Sequence, residues 1–274
     1  MSLLGAAQIR ELADLLDLKP SKSLGQNFVI DANVCRKIVR IADVNSDDVA
    51  LEIGPGLGSL TLALLEIASS VVAIEIDHRL ANQLPITVAQ HCDRAESLTV
   101  INSDALAIQS LDIPPTVLVA NLPYNVSVPV FLHLLETFST LRAGVVMVQA
   151  EVADRLVAKP NSKEYGIPSV KAAWWADVSG AGSVSRSIFW PAPNVDSKLV
   201  GFTRHTPLGD DVLRKKVFAI IDLAFAQRRK MLRSALSSMY GSSAAAQAHL
   251  ESVGIDATLR GEALTIEDFC KIAQ

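Results

Sequence analysis

The sequence predicts an α/β domain with a largely parallel sheet, followed by a small all-helical domain. Three observations carry that reading. Through the first two hundred residues, short runs rich in Val, Ile and Leu alternate with segments of helical spacing, the pattern of repeated strand–helix units. The runs are apolar almost throughout instead of alternating with polar residues, as strands are when helices cover both faces of a sheet. Beyond residue 206 no strand candidate remains. At 274 residues, half apolar and a fifth charged, the chain can bury a sizeable core, and its composition excludes general disorder.

The elements follow in order. Strands are expected over 49–53, 70–76, 98–102, 116–120 and 145–149, with helices over 57–68, 78–89 and 128–138 between them. After Pro191 and Pro193, residues 199–204 read as an antiparallel edge strand. Pro207 and Gly209 then mark a change of character, dividing 1–205 from 206–274. Helices are expected over 211–225, 227–239, 243–253 and 265–273, separated by Gly241, Gly254 and Gly261.

Composition narrows the function classes. The greasiest stretch, 60–76, is broken by Glu66 and Glu75 and falls short of the roughly 18 apolar residues a spanning helix needs. Glu11, Asp14 and Asp17 stand where a secretory signal would carry basic residues, which points to the cytoplasm. Cys35, Cys92 and Cys270 fit neither a disulfide framework nor a zinc site, and His91, His133 and His249 lack ligand spacing, so no metal is expected. With a net charge of −4, any nucleic-acid contact must rest on local charge.

Three consecutive strand ends carry the first functional signal. Glu52-Ile53-Gly54-Pro55-Gly56-Leu57-Gly58 closes one strand and opens a helix, where glycines let the backbone turn sharply and approach a ligand. Ser59 occupies the place where a dinucleotide fingerprint has its third glycine. Glu75, at the tip of the next strand, is placed to accept from both hydroxyls of a ribose. Asp104, after the third, can accept from an adenine amine. Any one of these could be an ordinary turn or a solvated acid. Together they describe a Rossmann-like site for an adenosine-bearing cofactor without a pyrophosphate, and S-adenosylmethionine fits better than NAD.

The fourth strand end carries the chemistry. Asn121-Leu122-Pro123-Tyr124 offers a side-chain carbonyl, a backbone carbonyl held rigid by proline, and a flat ring. The carbonyls of Asn121 and Leu122 suit the two protons of an exocyclic amine, and the ring of Tyr124 suits the face of the base. The hydroxyl of Tyr124 has no part in that scheme, so Tyr124→Phe is expected to be nearly silent.

Here the chain resembles the ribosomal RNA adenine dimethyltransferase family in its bacterial, small-subunit form, almost end to end. Gly25-Gln26-Asn27-Phe28 is similar to the family's N-terminal motif, in which Asn27 and the backbone at Val29 would touch the cofactor's methionine end. Gly54, Gly56, Glu75, Asp104 and Asn121 fall on its cofactor motifs. Phe189-Trp190-Pro191-Ala192-Pro193-Asn194-Val195-Asp196-Ser197 resembles its F-x-P-x-P-x-V-D-S signature, whose phenylalanine would close on the other face of the target base. Ala224–Lys230 resembles the start of its basic helix. Asn194, and Ile167-Pro168 after Gly166, depart from the basic residues usual there. The resemblance implies dimethylation of two adjacent adenosines in small-subunit ribosomal RNA and a linked role in subunit biogenesis. It also implies a monomer whose partner is the small ribosomal subunit or its precursor.

Between Arg214 and Arg233 seven cations, Arg214, Lys215, Lys216, Arg228, Arg229, Lys230 and Arg233, face one acid, Asp222. Such a patch could be a solvated helix face; beside an adenine-holding motif it reads as the RNA-docking surface, with Arg228, Arg229, Lys230 and Arg233 foremost. Trp174 and Trp175 read as packing residues. The competing readings are a large-subunit RNA methyltransferase of the macrolide-resistance type, an RNA-binding assembly factor that no longer methylates, and a nicotinamide-dependent oxidoreductase. The last lacks any Tyr-x-x-x-Lys or similar hydride-transfer pair.

Overall fold

The computed structural model of the protein describes residues 2–18 and 27–274; Gly25 and Gln26 lie outside them. The chain forms two compact units, one of residues 1–153 and 179–204, the other of 154–178 and 205–274. The single boundary expected at 205/206 therefore meets two further crossings.

In the first unit, α1 (Ala6–Leu15), β1 (Phe28–Val29) and α2 (Ala32–Ile41) precede the sheet. Then come β2 (Val49–Ile53), α3 (Ser59–Leu65), β3 (Ser70–Glu75), α4 (His78–His91), β4 (Leu98–Asn102), β5 (Val117–Asn121), α5 (Ser127–Thr137) and β6 (Ala143–Gln149). After α6 (Ala150–Leu156) and α7 (Ile167–Ala172), the chain returns through β7 (Ala176–Val184), β8 (Phe189–Trp190) and β9 (Ser197–Arg204). The sheet order is β4-β3-β2-β5-β6-β9-β7, and β1 pairs with β8 apart from it. The first five strands are parallel and β9 runs antiparallel to β6, with Ser197 opposite Gln149.

All five expected parallel strands are present, and their central members are buried as expected of a sheet covered on both faces. The expected edge strand at 199–204 is not the edge, because β7 lies beyond it. Residues 176–184 are small and polar apart from Val178 and Val184, which hides a strand from hydrophobic patterning. The switch of direction falls between β2 and β5: β3 and β4 extend one way from β2, and β5 and β6 the other. Ligands of open α/β sheets bind at the carboxyl ends of strands at such a point.

The second unit holds α8 (Asp211–Ala226), α9 (Leu232–Ala235), α10 (Ser237–Tyr240), α11 (Ser243–Ser252) and α12 (Ile266–Ala273). The helix expected over 227–239 is instead a turn followed by two short helices. The N–H groups of Leu232 and Arg233 donate to the carbonyls of Leu259 and Ala257, a tertiary demand that ends continuous helix. Trp174 and Trp175 are buried and meet the Phe218 ring edge-on at 6.2 and 5.4 Å. Tyr165 donates its hydroxyl to Leu264 O at 2.8 Å. Those contacts draw 154–178 in with the C-terminal helices.

Candidate active site

The carboxyl ends of β2, β3, β4 and β5 surround one open cleft of about 950 Å³, counted out to its mouth. Asn27, Val29, Gly54, Gly56, Glu75, Asp104, Asn121 and Pro123, all singled out from sequence, line it. The glycine loop is shaped by conformation and by crowding. Gly54, Gly56 and Gly58 have φ of 67°, 58° and 99°, and a Cβ at Gly56 would stand 3.0 Å from the Phe28 ring. Ser59, in place of the third glycine, donates its hydroxyl to Val29 O at 2.6 Å. One buried hydrogen bond thus ties β1 to the start of α3.

Glu75 is 5% exposed. Its Oε2 accepts from the Gly56 N–H at 3.1 Å and its Oε1 from the Asp77 N–H at 3.0 Å, so each oxygen keeps a lone pair for a ligand hydroxyl. Burial raises its pKa, partly offset by those amides. Glu52, at the end of β2, is 1% exposed and accepts from the Thr61 hydroxyl at 2.6 Å. Burial, opposed by that hydrogen bond and aided by the Glu75 charge, pushes it up to about 8. Asp104, which lines the cleft, uses Oδ1 to cap a short turn through the Leu106 N–H at 2.9 Å.

Among the described residues, three carboxylates and no Lys, Arg or His line the cleft. Such a cleft repels phosphates and favours a ligand that brings positive charge, because a cation relieves buried acids that burial alone drives to protonate. A pyrophosphate cofactor does not fit it. Among the described residues there is also no cluster of three or more His, Cys, Asp or Glu able to hold a metal ion.

Asn121 stands at the junction of this cleft with the next segment. Its amide nitrogen donates to Asn27 O at 3.2 Å, which turns Oδ1 into the end available to an incoming amine. A Cβ on Gly54 would lie 3.7 Å from Asn121 O, so the cofactor loop and the Asn-Leu-Pro-Tyr segment adjoin. Leu122 is buried and donates its N–H to Met147 O at 3.0 Å, hanging the segment on β6. Tyr124 is half-buried beside the cleft, and its Oη lies 2.9 Å from Ser197 Oγ. The hydroxyl that stacking alone leaves idle therefore has a partner.

Phe189 is not placed as expected. It is 3% exposed, packed in the core and opposite Val29 in the β1–β8 pair, so its ring presents no face to a base. Trp190, beside it, stacks on Phe28 with centroids 6.4 Å apart. Sequence reasoning also missed Ile76, which lines the cleft and is 55% exposed. An apolar residue held in water directly after Glu75 offers a surface for a purine; its signal was a strand run continuing one residue past the strand's end.

The proposed RNA contacts divide. Arg214 is buried, ion-paired to Asp211 at 3.1 Å and set against the rings of Trp175 and Phe218, so it belongs to packing. Arg228 bonds Glu262 at 2.7 Å and Lys163 O at 2.6 Å, and Arg233 bonds Gln247 at 2.9 Å. Arg229 and Lys230 are exposed on the turn after α8 and not on a basic helix. No helix is long and apolar enough to cross a membrane among the described residues.

A profile of the ribosomal RNA adenine dimethylase family matches residues 18–274. The ribosomal RNA small subunit methyltransferase A of Leifsonia xyli subsp. xyli is 60% identical over the whole chain and 98% of that protein. The protein of the same name from Streptomyces avermitilis is 57% identical over the whole chain and 94% of its length. Among solved structures, a dimethyladenosine transferase from Plasmodium falciparum superposes with a TM-score of 0.77 at 24% identity, covering 89% of this chain and 95% of that one. At that identity the likeness shows the fold.

Proposed function

The chain belongs to the ribosomal RNA adenine dimethylase family, and from that premise we propose that it dimethylates the exocyclic amines of two adjacent adenosines in small-subunit ribosomal RNA. It uses S-adenosylmethionine and has a linked part in small-subunit biogenesis. The observation that carries the reading is that the Asn121–Tyr124 segment joins the cleft directly, Asn121 and Pro123 lining it together with Glu52, Glu75 and Asp104 and, among the described residues, no base.

The residues fit the cofactor. Glu75 would accept from the ribose hydroxyls and Asp104 from the adenine amine, and Ile76 would cover the purine face, while Glu52, kept protonated by burial in the empty cleft, would gain from a positive charge brought close to it. Asn27 and Val29, at the same cleft, would take the methionine end. When bound, S-adenosylmethionine supplies an electrophilic methyl on a sulfonium. Asn121 Oδ1 and the Leu122 carbonyl accept the two protons of the target amine and draw its lone pair out of the purine. The lone pair so exposed is what a bound sulfonium methyl would be transferred to, the sulfur keeping the electrons of the bond it would give up. The proton shed by the nitrogen passes to solvent. Acceptors that strengthen as charge grows on the amine stabilise the transition state more than the ground state. Pro123 keeps the Leu122 carbonyl in place, and Tyr124 stacks on the base.

The first unit carries this chemistry, and the second docks RNA through Arg229 and Lys230, with Arg228 and Arg233 bracing their surroundings. The protein works in the cytoplasm as a monomer on the small subunit or its precursor. The test is transfer of radiolabelled methyl to small-subunit particles lacking the modification. Label in the two adjacent adenosines is the expected result. Label in large-subunit RNA would favour the macrolide-resistance type, and particle binding without label would favour an assembly factor.

A further inference from the structure

We propose that Ser197 is a positioning residue for methyl transfer, its hydroxyl holding the far end of the Tyr124 ring in the place from which it stacks on the target adenine. The inference rests on the reading that Tyr124 stacks on that base.

The two side chains are 73 residues apart in sequence and 2.9 Å apart at their oxygens. Ser197 is fully buried, so its hydroxyl needs a protein partner and Tyr124 is that partner. Both ends of the tether hang on β6. On one side, Leu122 donates to Met147 O, and a turn closed by Val126 N–H to Pro123 O carries Tyr124. On the other, Ser197 sits opposite Gln149 and the Ala150 N–H donates to Asp196 O at 2.9 Å.

Oη lies on the long axis of the tyrosine ring. A hydrogen bond there leaves rotation about that axis to packing and fixes the swing of the whole ring about χ1. Without it, the ring's outer end is held only by contacts along its half-buried flank. Burial also raises the phenol's pKa, so the group at Ser197 is a neutral hydroxyl, and either oxygen can donate. A swinging ring still meets the base some of the time, so the loss falls on the rate of the bound complex and not on docking, which other residues govern.

The experiment is single-turnover methyl transfer on saturating small-subunit particles, beside particle affinity, S-adenosylmethionine affinity and a melting curve. Ser197→Ala and Tyr124→Phe remove the same neutral hydrogen bond from opposite ends, and Tyr124→Phe leaves β9 untouched. Each should slow transfer about 3- to 10-fold with both affinities within about twofold of wild type. The double variant should be no slower than the slower single, the mark of two residues acting through one contact. Wild-type rates in either single, or defects that multiply in the double, would overturn the tether. So would abolition by Tyr124→Phe with only a mild Ser197→Ala defect, because the phenol would then be doing chemistry. Tyr124→Ala separates the two levels: if it transfers at full rate, the stacking reading itself has failed. If it is severe while both tether variants are normal, only the tether has.

Discussion

Glu52 and Glu75 share one cleft in which, among the described residues, no Lys, Arg or His stands beside them, and their titration follows from that. The folded chain holds the Glu52 proton up to about pH 8, whereas an unfolded carboxyl gives it up near 4.5. Its stabilising contribution is thus complete below about pH 4.5 and is lost as the pH rises toward 8, where a bare charge must be buried. Glu75 is shifted in the same direction. The ligand-free protein should therefore melt at lower temperature as pH is raised through that window, and Glu52→Gln, neutral throughout, should flatten most of the slope. A wild-type melting temperature indifferent to pH would contradict the shift. For Glu75, whose two oxygens are anchored by amides, Glu75→Gln should weaken S-adenosylmethionine binding by roughly 1.5–3 kcal/mol in calorimetry. Glu75 was legible from sequence because residue type and strand end together specify a task. Ser197 was not, because nothing in spacing reveals a contact across 73 residues.

Elements were legible wherever their burial pattern was simple. The five parallel strands announce themselves by continuous apolar runs, whereas β7 is mostly Gly, Ala, Ser and Asp and buries only Ala176, Val178 and Val184, too sparse a pattern to mark a strand. The turn at 227–230 shows the opposite failure. Gln, Arg, Lys and Met are good helix formers, yet backbone donors just beyond them are claimed by Ala257 and Leu259. The interruption changes which cations can act. Arg229→Ala with Lys230→Ala should weaken particle binding, lower the slope of log affinity against log salt by about 0.7–0.9 per lost charge, and leave cofactor affinity alone. Arg228→Ala should instead lower the melting temperature by a few degrees, since it breaks bonds to Glu262 and to Lys163 O. If Arg228 alone governed the salt slope, the division of labour between bracing and docking cations would be reversed.

For the whole molecule, the decisive fact is that 154–178 belongs with 205–274. A fragment ending at residue 205 would keep Trp174 and Trp175 while losing Phe218, against which both are packed. Its tryptophan emission should shift to longer wavelength than that of the intact chain, and the dye ANS should bind it. An unshifted spectrum would mean that the segment folds without its partners. The same arrangement sets a clock during synthesis. Tyr165 leaves the translating ribosome 99 residues ahead of the Leu264 carbonyl it will bond. At about 5–20 residues per second, its hydroxyl waits roughly 5–20 s for that carbonyl, and Trp174 and Trp175 wait roughly 2–9 s for Phe218. During that interval the nascent chain carries an aromatic surface with nowhere to go, which makes those few seconds the time when a chaperone has most to offer it.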